Sequence, residues 1–134
     1  MATRTLVLQT TIAAAATVVG DTVRIGNATS LTVQSKFLYG AGGTATRVFI
    51  QTTIDGTNWF DIVNHDFTTA AATKVSTVTM FIAPAAQAFA PGDAALTTNT
   101  IIQGVLGDSI RVKYVSTGTY TGATSIAVYA RFAT

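Results

Sequence analysis

The chain has 134 residues, of which 26 are Thr, 13 Val and 10 Ile, while Glu and Cys are absent. The branched side chains of these three residue types favour strands, and the lack of Glu argues against a helical fold. At this length one hydrophobic core can form without disulfide or metal cross-links, so we predict a single domain over residues 1–134.

Charged residues make up 10% of the sequence, against about 25% in an average soluble domain, and the net charge is +2. A surface this poor in charge does not keep neighbouring copies apart, so we expect the protein to work within an assembly. The basic residues are scattered, with Arg111 and Lys113 the one close pair, which predicts neither a nucleic-acid partner nor a membrane surface. No window offers the roughly 18 apolar residues of a membrane span.

Segments of alternating polarity recur along the chain, separated by turn residues. They predict strands over 3–12, 22–25, 28–39, 46–54, 59–65, 74–82, 100–106, 109–116 and 124–132. The glycines at 40, 42 and 43 predict a hairpin between 28–39 and 46–54, and Asp55-Gly56 predicts a second hairpin leading into 59–65.

The remaining segments are less regular. Residues 83–99 contain two prolines and predict a long loop, while residues 1–16 are a possible N-terminal arm. Short helices are possible at 13–16 and at 85–90, the latter directly after Pro84. Eight or nine strands, spaced about ten residues apart with turns between them, predict an all-β, antiparallel, jelly-roll-like β-sandwich.

His65 is the only histidine and hence the obvious candidate for a general base or a metal ligand. On a regular strand Asp61 shares its face but lies about 13 Å away, while Asp66 faces the other way. We therefore expect a structural role for His65. Asp55, Asn58 and Asp61 are a possible calcium ligand set, although their loop is short and lacks a known calcium-binding pattern.

Catalytic motifs are missing from the rest of the sequence. Four of the six Asp residues adjoin a glycine, as turn residues do, and there is no nucleophile motif or phosphate-binding loop. We predict no enzymatic activity, catalytic residue, cofactor or metal. Five aromatic residues are possible sugar-stacking groups: Trp59, Tyr39, Tyr114, Tyr120 and Tyr129. Trp59 directly follows the turn, and we expect it to close the core or to pack on its hairpin instead of binding a sugar.

Three segments resemble small virion structural proteins of tailed bacteriophages: QTTIDGTNWFDI at 51–62, LGDSIRVKY at 106–114 and TGTYTG at 117–122. The resemblance covers about half of the chain and brings no catalytic residues with it. Related sandwiches serve as capsid decoration proteins, as neck components and as tail or fibre domains.

The resemblance, the low charge and the lack of a fibrous repeat favour a decoration (cement) protein. Such a protein binds the outer surface of the major capsid protein lattice and stabilises the head, which implies location on the virion capsid surface after synthesis in the bacterial host cytoplasm. It also implies a homo-oligomer, for which we expect a trimer. The alternatives are a phage neck or tail component, or a receptor-binding or carbohydrate-binding β-sandwich module.

We expect contacts with partner subunits in the N-terminal arm, in the 83–99 loop, or in both. Phe89 is notable because it lies in a proline-bounded loop, where it either packs back onto the sandwich or anchors a neighbouring subunit. The predicted interface residues are Arg4, Leu6, Val7, Phe89, Pro91 and Leu96.

Overall fold

The computed structural model describes residues 4–81 and 92–134, which form an all-β fold. The strands are β1 (Arg4–Thr11), β2 (Ala16–Val19), β3 (Val23–Arg24), β4 (Ser30–Leu38), β5 (Ala41–Gly42), β6 (Ala45–Thr53), β7 (Trp59–Phe67), β8 (Ala72–Thr79), β9 (Ser109–Thr117), β10 (Tyr120–Thr121) and β11 (Ser125–Ala133). The described residues contain no helix long and apolar enough to cross a membrane.

Two antiparallel sheets share one core, which confirms the predicted β-sandwich. Sheet A has the strand order β1-β11-β4-β8, and sheet B has the order β2-β9-β6-β7, with β3 also pairing with β9. The strands β5 and β10 form a separate two-stranded ribbon.

The core is built from alternate residues of the longer strands, as the period-two pattern predicts. From sheet A it takes Leu31, Val33, Phe37, Val78, Ile126, Val128 and Ala130, and from sheet B it takes Val48, Ile50, Ile62, Val63, Ile110, Val112 and Tyr114. Ile54 and Met80 fall within the predicted strands 46–54 and 74–82, but they are 69% and 46% exposed because each lies just beyond the end of its strand in the structure.

The predicted hairpin between 28–39 and 46–54 is wrong. Strand β4 pairs with β11 and β8 in sheet A, whereas β6 pairs with β7 and β9 in sheet B. The glycines between them carry the chain from one sheet to the other. A Cβ atom on Gly40 would lie 2.1 Å from the carbonyl oxygen of Gly122, so only glycine allows the two connections to pass this closely.

The Asp55-Gly56 hairpin is confirmed, but its second strand contains a bulge that the sequence did not reveal. Ile50 pairs with Val63 and Gln51 pairs with Asp61, which leaves Ile62 as an extra residue in β7. An extra residue reverses the alternation of faces. Asp61 therefore lies on the outer face of sheet B and His65 on the inner face, which corrects the expectation that they share one.

Residues 100–106 do not form the predicted strand. At its start the segment lies beside β7, where the Asn64 N–H donates to the carbonyl oxygen of Thr100. Near its end it lies beside β8, where the Gly104 N–H donates to the carbonyl oxygen of Thr79. The segment passes from the edge of one sheet to the edge of the other, so its backbone groups cannot pair with a single neighbour. It covers backbone groups at two edges that would otherwise be exposed.

The N-terminal predictions are also corrected. Residues 4–11 form β1, which pairs with β11, and are not a detached arm. Ala16 begins β2, so no helix forms at 13–16. The possible helix at 85–90 and most of the 83–99 loop lie outside the described residues.

Candidate functional site

His65 extends from β7 into the core, where it connects the two sheets. Its Nδ1 atom lies 2.8 Å from Ser35 Oγ of β4, and its Nε2 atom lies 2.8 Å from Ser76 Oγ of β8. The residue is 3% exposed, and burial together with the positive charge of Lys74 lowers its pKa to about 4. A neutral imidazole has one N–H donor and one nitrogen acceptor, and the hydroxyl groups of Ser35 and Ser76 satisfy both. This geometry gives His65 a structural role between the sheets.

Asp61 fastens residues 92–96 to the outer face of sheet B. The residue is 2% exposed. Oδ1 accepts hydrogen bonds from Gln51 Nε2 at 2.8 Å and from the Ala94 N–H at 3.0 Å. Oδ2 accepts from the N–H groups of Ala95 at 2.8 Å and Leu96 at 3.0 Å. Each carboxylate oxygen thus faces two donors, which leaves little capacity for a ligand.

Gln51 extends this network to the charged side chains nearby. Its Nε2 donates to Asp93 Oδ1 at 2.7 Å, and its Oε1 accepts from Arg111 Nε at 2.8 Å. Lys113 Nζ donates to Asp93 Oδ1 at 2.8 Å, and this bond is the main cause of the lowered pKa of Asp93. Arg111 also lies 4.4 Å from the centre of the Trp59 ring. These polar side chains bond to one another, and through Asp93 they hold the 92–96 segment on sheet B.

The structure does not bring the possible calcium ligands together. Asp55 Oδ1 accepts the N–H groups of Thr57 and Asn58, at 2.8 and 2.7 Å, within its own turn. These bonds, that of Asn58 first, lower the pKa of Asp55 to about 2. The Asp61 oxygens accept hydrogen bonds from Gln51 and from residues 94–96. In residues 4–81 and 92–134 no three His, Cys, Asp or Glu residues are grouped as metal ligands.

The five aromatic candidates do not form one platform. Tyr114 and Tyr120 are 4% and 2% exposed and belong to the core. Tyr39 packs edge-on against Tyr120, with ring centroids 6.3 Å apart. Trp59 lies on sheet B under Arg111, whereas Tyr129 lies on sheet A. The half-exposed rings are therefore on different sheets.

The outer face of sheet A presents rows of side chains across all four of its strands. Its cross-strand rows are Arg4, Arg131, Thr32 and Thr77, then Leu6, Tyr129, Gln34 and Val75, then Gln9, Ala127, Lys36 and Thr73. Leu6 is 48% exposed, Val75 60% and Leu38, one row further on, 49%. Exposed aliphatic side chains thus lie on both edge strands of this face and, with Leu38, one row further on.

This face is also basic. Its rows contain Arg4, Lys36 and Arg131, while β1, β4, β8 and β11 contain no Asp or Glu. An open depression of about 410 Å³ runs between the three cations and includes Gln34 and Tyr129 in its lining. These cations are scattered in the sequence, because they are far apart along the chain. Alternation places Lys36 and Arg131 on the outer side of their strands, but only the strand order makes them neighbours.

The residues predicted to contact partners have different surroundings. Arg4 and Leu6 are exposed on the outer face of sheet A. Val7 is the extra residue of a bulge in β1 and is 7% exposed within the core. Leu96 is half-buried, and its carbonyl oxygen accepts a hydrogen bond from Asn64. Phe89 and Pro91 lie outside the described residues.

Comparison with models of protein families, with characterised proteins and with solved structures gives no significant match.

Proposed function

We propose that the chain is a bacteriophage virion structural protein, a decoration (cement) protein that binds the outer surface of the major capsid protein lattice and stabilises the head. The observation that carries this proposal is the exposed outer face of sheet A, where apolar, aromatic and basic side chains occupy adjacent rows. Tyr and Arg are enriched where proteins bind one another. The resemblance of three segments to phage virion proteins points to the same class.

The order of the strands supports a jelly-roll topology as part of the proposal. Numbered along the chain, the eight strands of four or more residues have the order 1-8-3-6 in sheet A and 2-7-4-5 in sheet B. Each sheet therefore interleaves strands from both halves of the chain, as in two nested Greek keys. Jelly rolls of eight strands occur in viral capsid domains and in lectins.

The proposal includes a homotrimer. Strand β1 lies at one end of sheet A and β2 at one end of sheet B, and each pairs on one side only with a described strand. An open strand edge readily accepts a strand from another chain. The low charge of the surface also favours close packing of copies.

A count of copies in purified virions tests the proposal. A decoration protein should be present in hundreds of copies, because it follows the capsid lattice, and quantitative mass spectrometry measures this number against the major capsid protein. A few dozen copies or fewer would indicate a neck ring or a receptor-binding tip, the two alternatives. Absence from the virion would overturn the assignment to a structural virion protein.

A further inference from the structure

The side chains of Lys74 and Asn99 meet at the side of the sandwich where β7 and β8 are the last strands of their sheets. Lys74 belongs to β8, and Asn99 directly precedes Thr100, which accepts a hydrogen bond from β7. Lys74 Nζ donates a hydrogen bond to Asn99 Oδ1 at 2.9 Å. Because a carbonyl bond is about 1.23 Å long, the Asn99 Cγ atom lies within about 4.1 Å of Nζ. A primary amine is therefore next to the carbonyl carbon of a side-chain amide.

Strand β7 holds both groups in position. Lys74 Nζ also donates to the carbonyl oxygen of Asp66 and lies 5.1 Å from the centre of the Phe67 ring. Asn99 Oδ1 accepts the Asp66 N–H at 3.0 Å. The backbone of Asn99 is left-handed, with φ at 56°, a conformation that Asn adopts more readily than most residues. Two reacting groups that are fixed next to each other react much faster than the same groups free in solution.

The Asp66 N–H is placed to make the amide carbon of Asn99 more reactive. When an amine adds to a carbonyl carbon, negative charge develops on the carbonyl oxygen, and a backbone N–H directed at that oxygen stabilises it. The Asp66 N–H already donates to Asn99 Oδ1 before any reaction. The structure thus supplies an amine, a carbonyl carbon and a donor for the developing charge.

Lys113 makes a similar contact that cannot react in this way. Its Nζ atom donates to Asp93 Oδ1 at 2.8 Å, and this bond is the main cause of the lowered pKa of Asp93. Asp93 is therefore an ionised carboxylate at neutral pH, and an amine does not attack a carboxylate anion. The side-chain amide of Asn99 is uncharged and releases ammonia when an amine displaces its nitrogen.

An open depression of about 330 Å³ gives solvent access to the pair. It is lined by His65, Lys74, Val75, Ser76 and Asn99. Lys74 is half-buried, whereas Asn99 is exposed. Water in the depression can carry a proton from the attacking nitrogen to the departing one, and the released ammonia can leave through the same opening.

We propose that Lys74 and Asn99 form an intramolecular isopeptide bond. The neutral amine of Lys74 adds to Asn99 Cγ, and the new Nζ–Cγ bond replaces the bond between Cγ and Nδ2. One Nζ proton passes to Nδ2, which leaves as ammonia, so the chain loses about 17 Da. The reaction needs no oxidant or cofactor. The bond joins β8 of sheet A to the segment beside β7 of sheet B, and it forms whatever the protein binds, so it does not depend on the proposed function.

The test is intact-mass spectrometry of the purified full chain, before and after incubation at pH 9, where more of an amine is neutral and nucleophilic. After incubation, wild type should be about 17 Da lighter than its sequence requires. Tandem mass spectrometry of a protease digest should then identify a branched peptide that joins Lys74 to Asn99.

Three variants locate the reacting groups. Lys74→Arg keeps the positive charge but has no primary amine, and Asn99→Asp has no amide to release, so both should keep their full mass. Lys113→Arg is the matched control, because it changes the lysine that contacts Asp93. It should lose ammonia as wild type does. Circular dichroism establishes that the three variants are folded.

Three results would overturn the proposal. Full mass in wild type after incubation would mean that the pair is hydrogen-bonded only. A loss of ammonia in Lys74→Arg equal to that in wild type would indicate a succinimide, in which an Asn side chain reacts with its own backbone and no lysine takes part. A branched peptide that joins other residues would place the bond elsewhere in the chain.

Discussion

Replacing Asp61 by Ala is expected to lower the free energy of unfolding by about 4 kcal/mol. The carboxylate accepts hydrogen bonds from three consecutive N–H groups of the 92–96 segment and from Gln51. Without it these donors remain buried and unsatisfied, or the segment leaves the sheet. Urea denaturation measures the loss, and hydrogen exchange at Ala94, Ala95 and Leu96 reports whether the segment detaches first.

Two further variants separate this effect from the loss of side-chain volume. Asp61→Asn keeps the shape, but each carboxylate oxygen faces two donors, so an amide nitrogen in either place meets N–H groups. It should also be clearly destabilised. Asp55→Ala removes an exposed carboxylate that bonds two N–H groups, and it should have a much smaller effect because water replaces the oxygens. Equal losses for Asp61→Ala and Asp55→Ala would contradict the role given to Asp61.

The free energy of unfolding should fall by about 3 kcal/mol between pH 6.5 and pH 4 because of His65 alone. The pKa of His65 is lowered from 6.5 to about 4 in the folded chain, chiefly by burial and further by Lys74. Below pH 6.5 the unfolded chain takes up a proton at this residue while the folded chain does not. The stabilising effect of the neutral ring is therefore complete above pH 6.5 and is lost as the pH falls towards 4.

His65→Gln is the control for this pH dependence, because its side chain retains hydrogen-bonding capacity but does not titrate. Denaturation curves at pH 7 and pH 4 should show a smaller acid-induced loss for the variant than for wild type. The contribution of Asp93, whose pKa is also lowered, remains in both proteins and is removed by the comparison. An equal loss in the two proteins would mean that His65 is not held neutral by the fold.

The local features of this fold follow from the sequence more readily than the pairing of its strands. Alternation identifies the inward side of β4, β9 and β11, since burial on one face imposes a period of two. It does not reveal that β4 and β6 lie in different sheets, because a glycine-rich connection suits a crossing as well as a hairpin. The bulge at Ile62 leaves no mark in the sequence either, yet it moves Asp61 to the opposite face from His65.

The residues on the outer face of sheet A could likewise be predicted only in part. Arg4 and Leu6 were identified from the sequence, but Lys36, Tyr129 and Arg131 join them only through the order β1-β11-β4. That order depends on long-range burial across the whole sandwich, which no local motif encodes. Gln51 is buried because residues 92–96 fold back over it through Asp61 and Asp93, a long-range contact of the same kind.

Cysteine labelling in intact virions tests most directly whether the outer face of sheet A is the docking surface. The chain has no cysteine, so a Val75→Cys variant carries a single thiol on this face, and an Ile54→Cys variant carries one at a similarly exposed position after β6. We expect a maleimide reagent to label Val75→Cys rapidly in the released protein and slowly in the virion, while Ile54→Cys reacts in both. Equally rapid labelling of Val75→Cys in the two states would show that this face stays open in the assembly and would contradict the proposal.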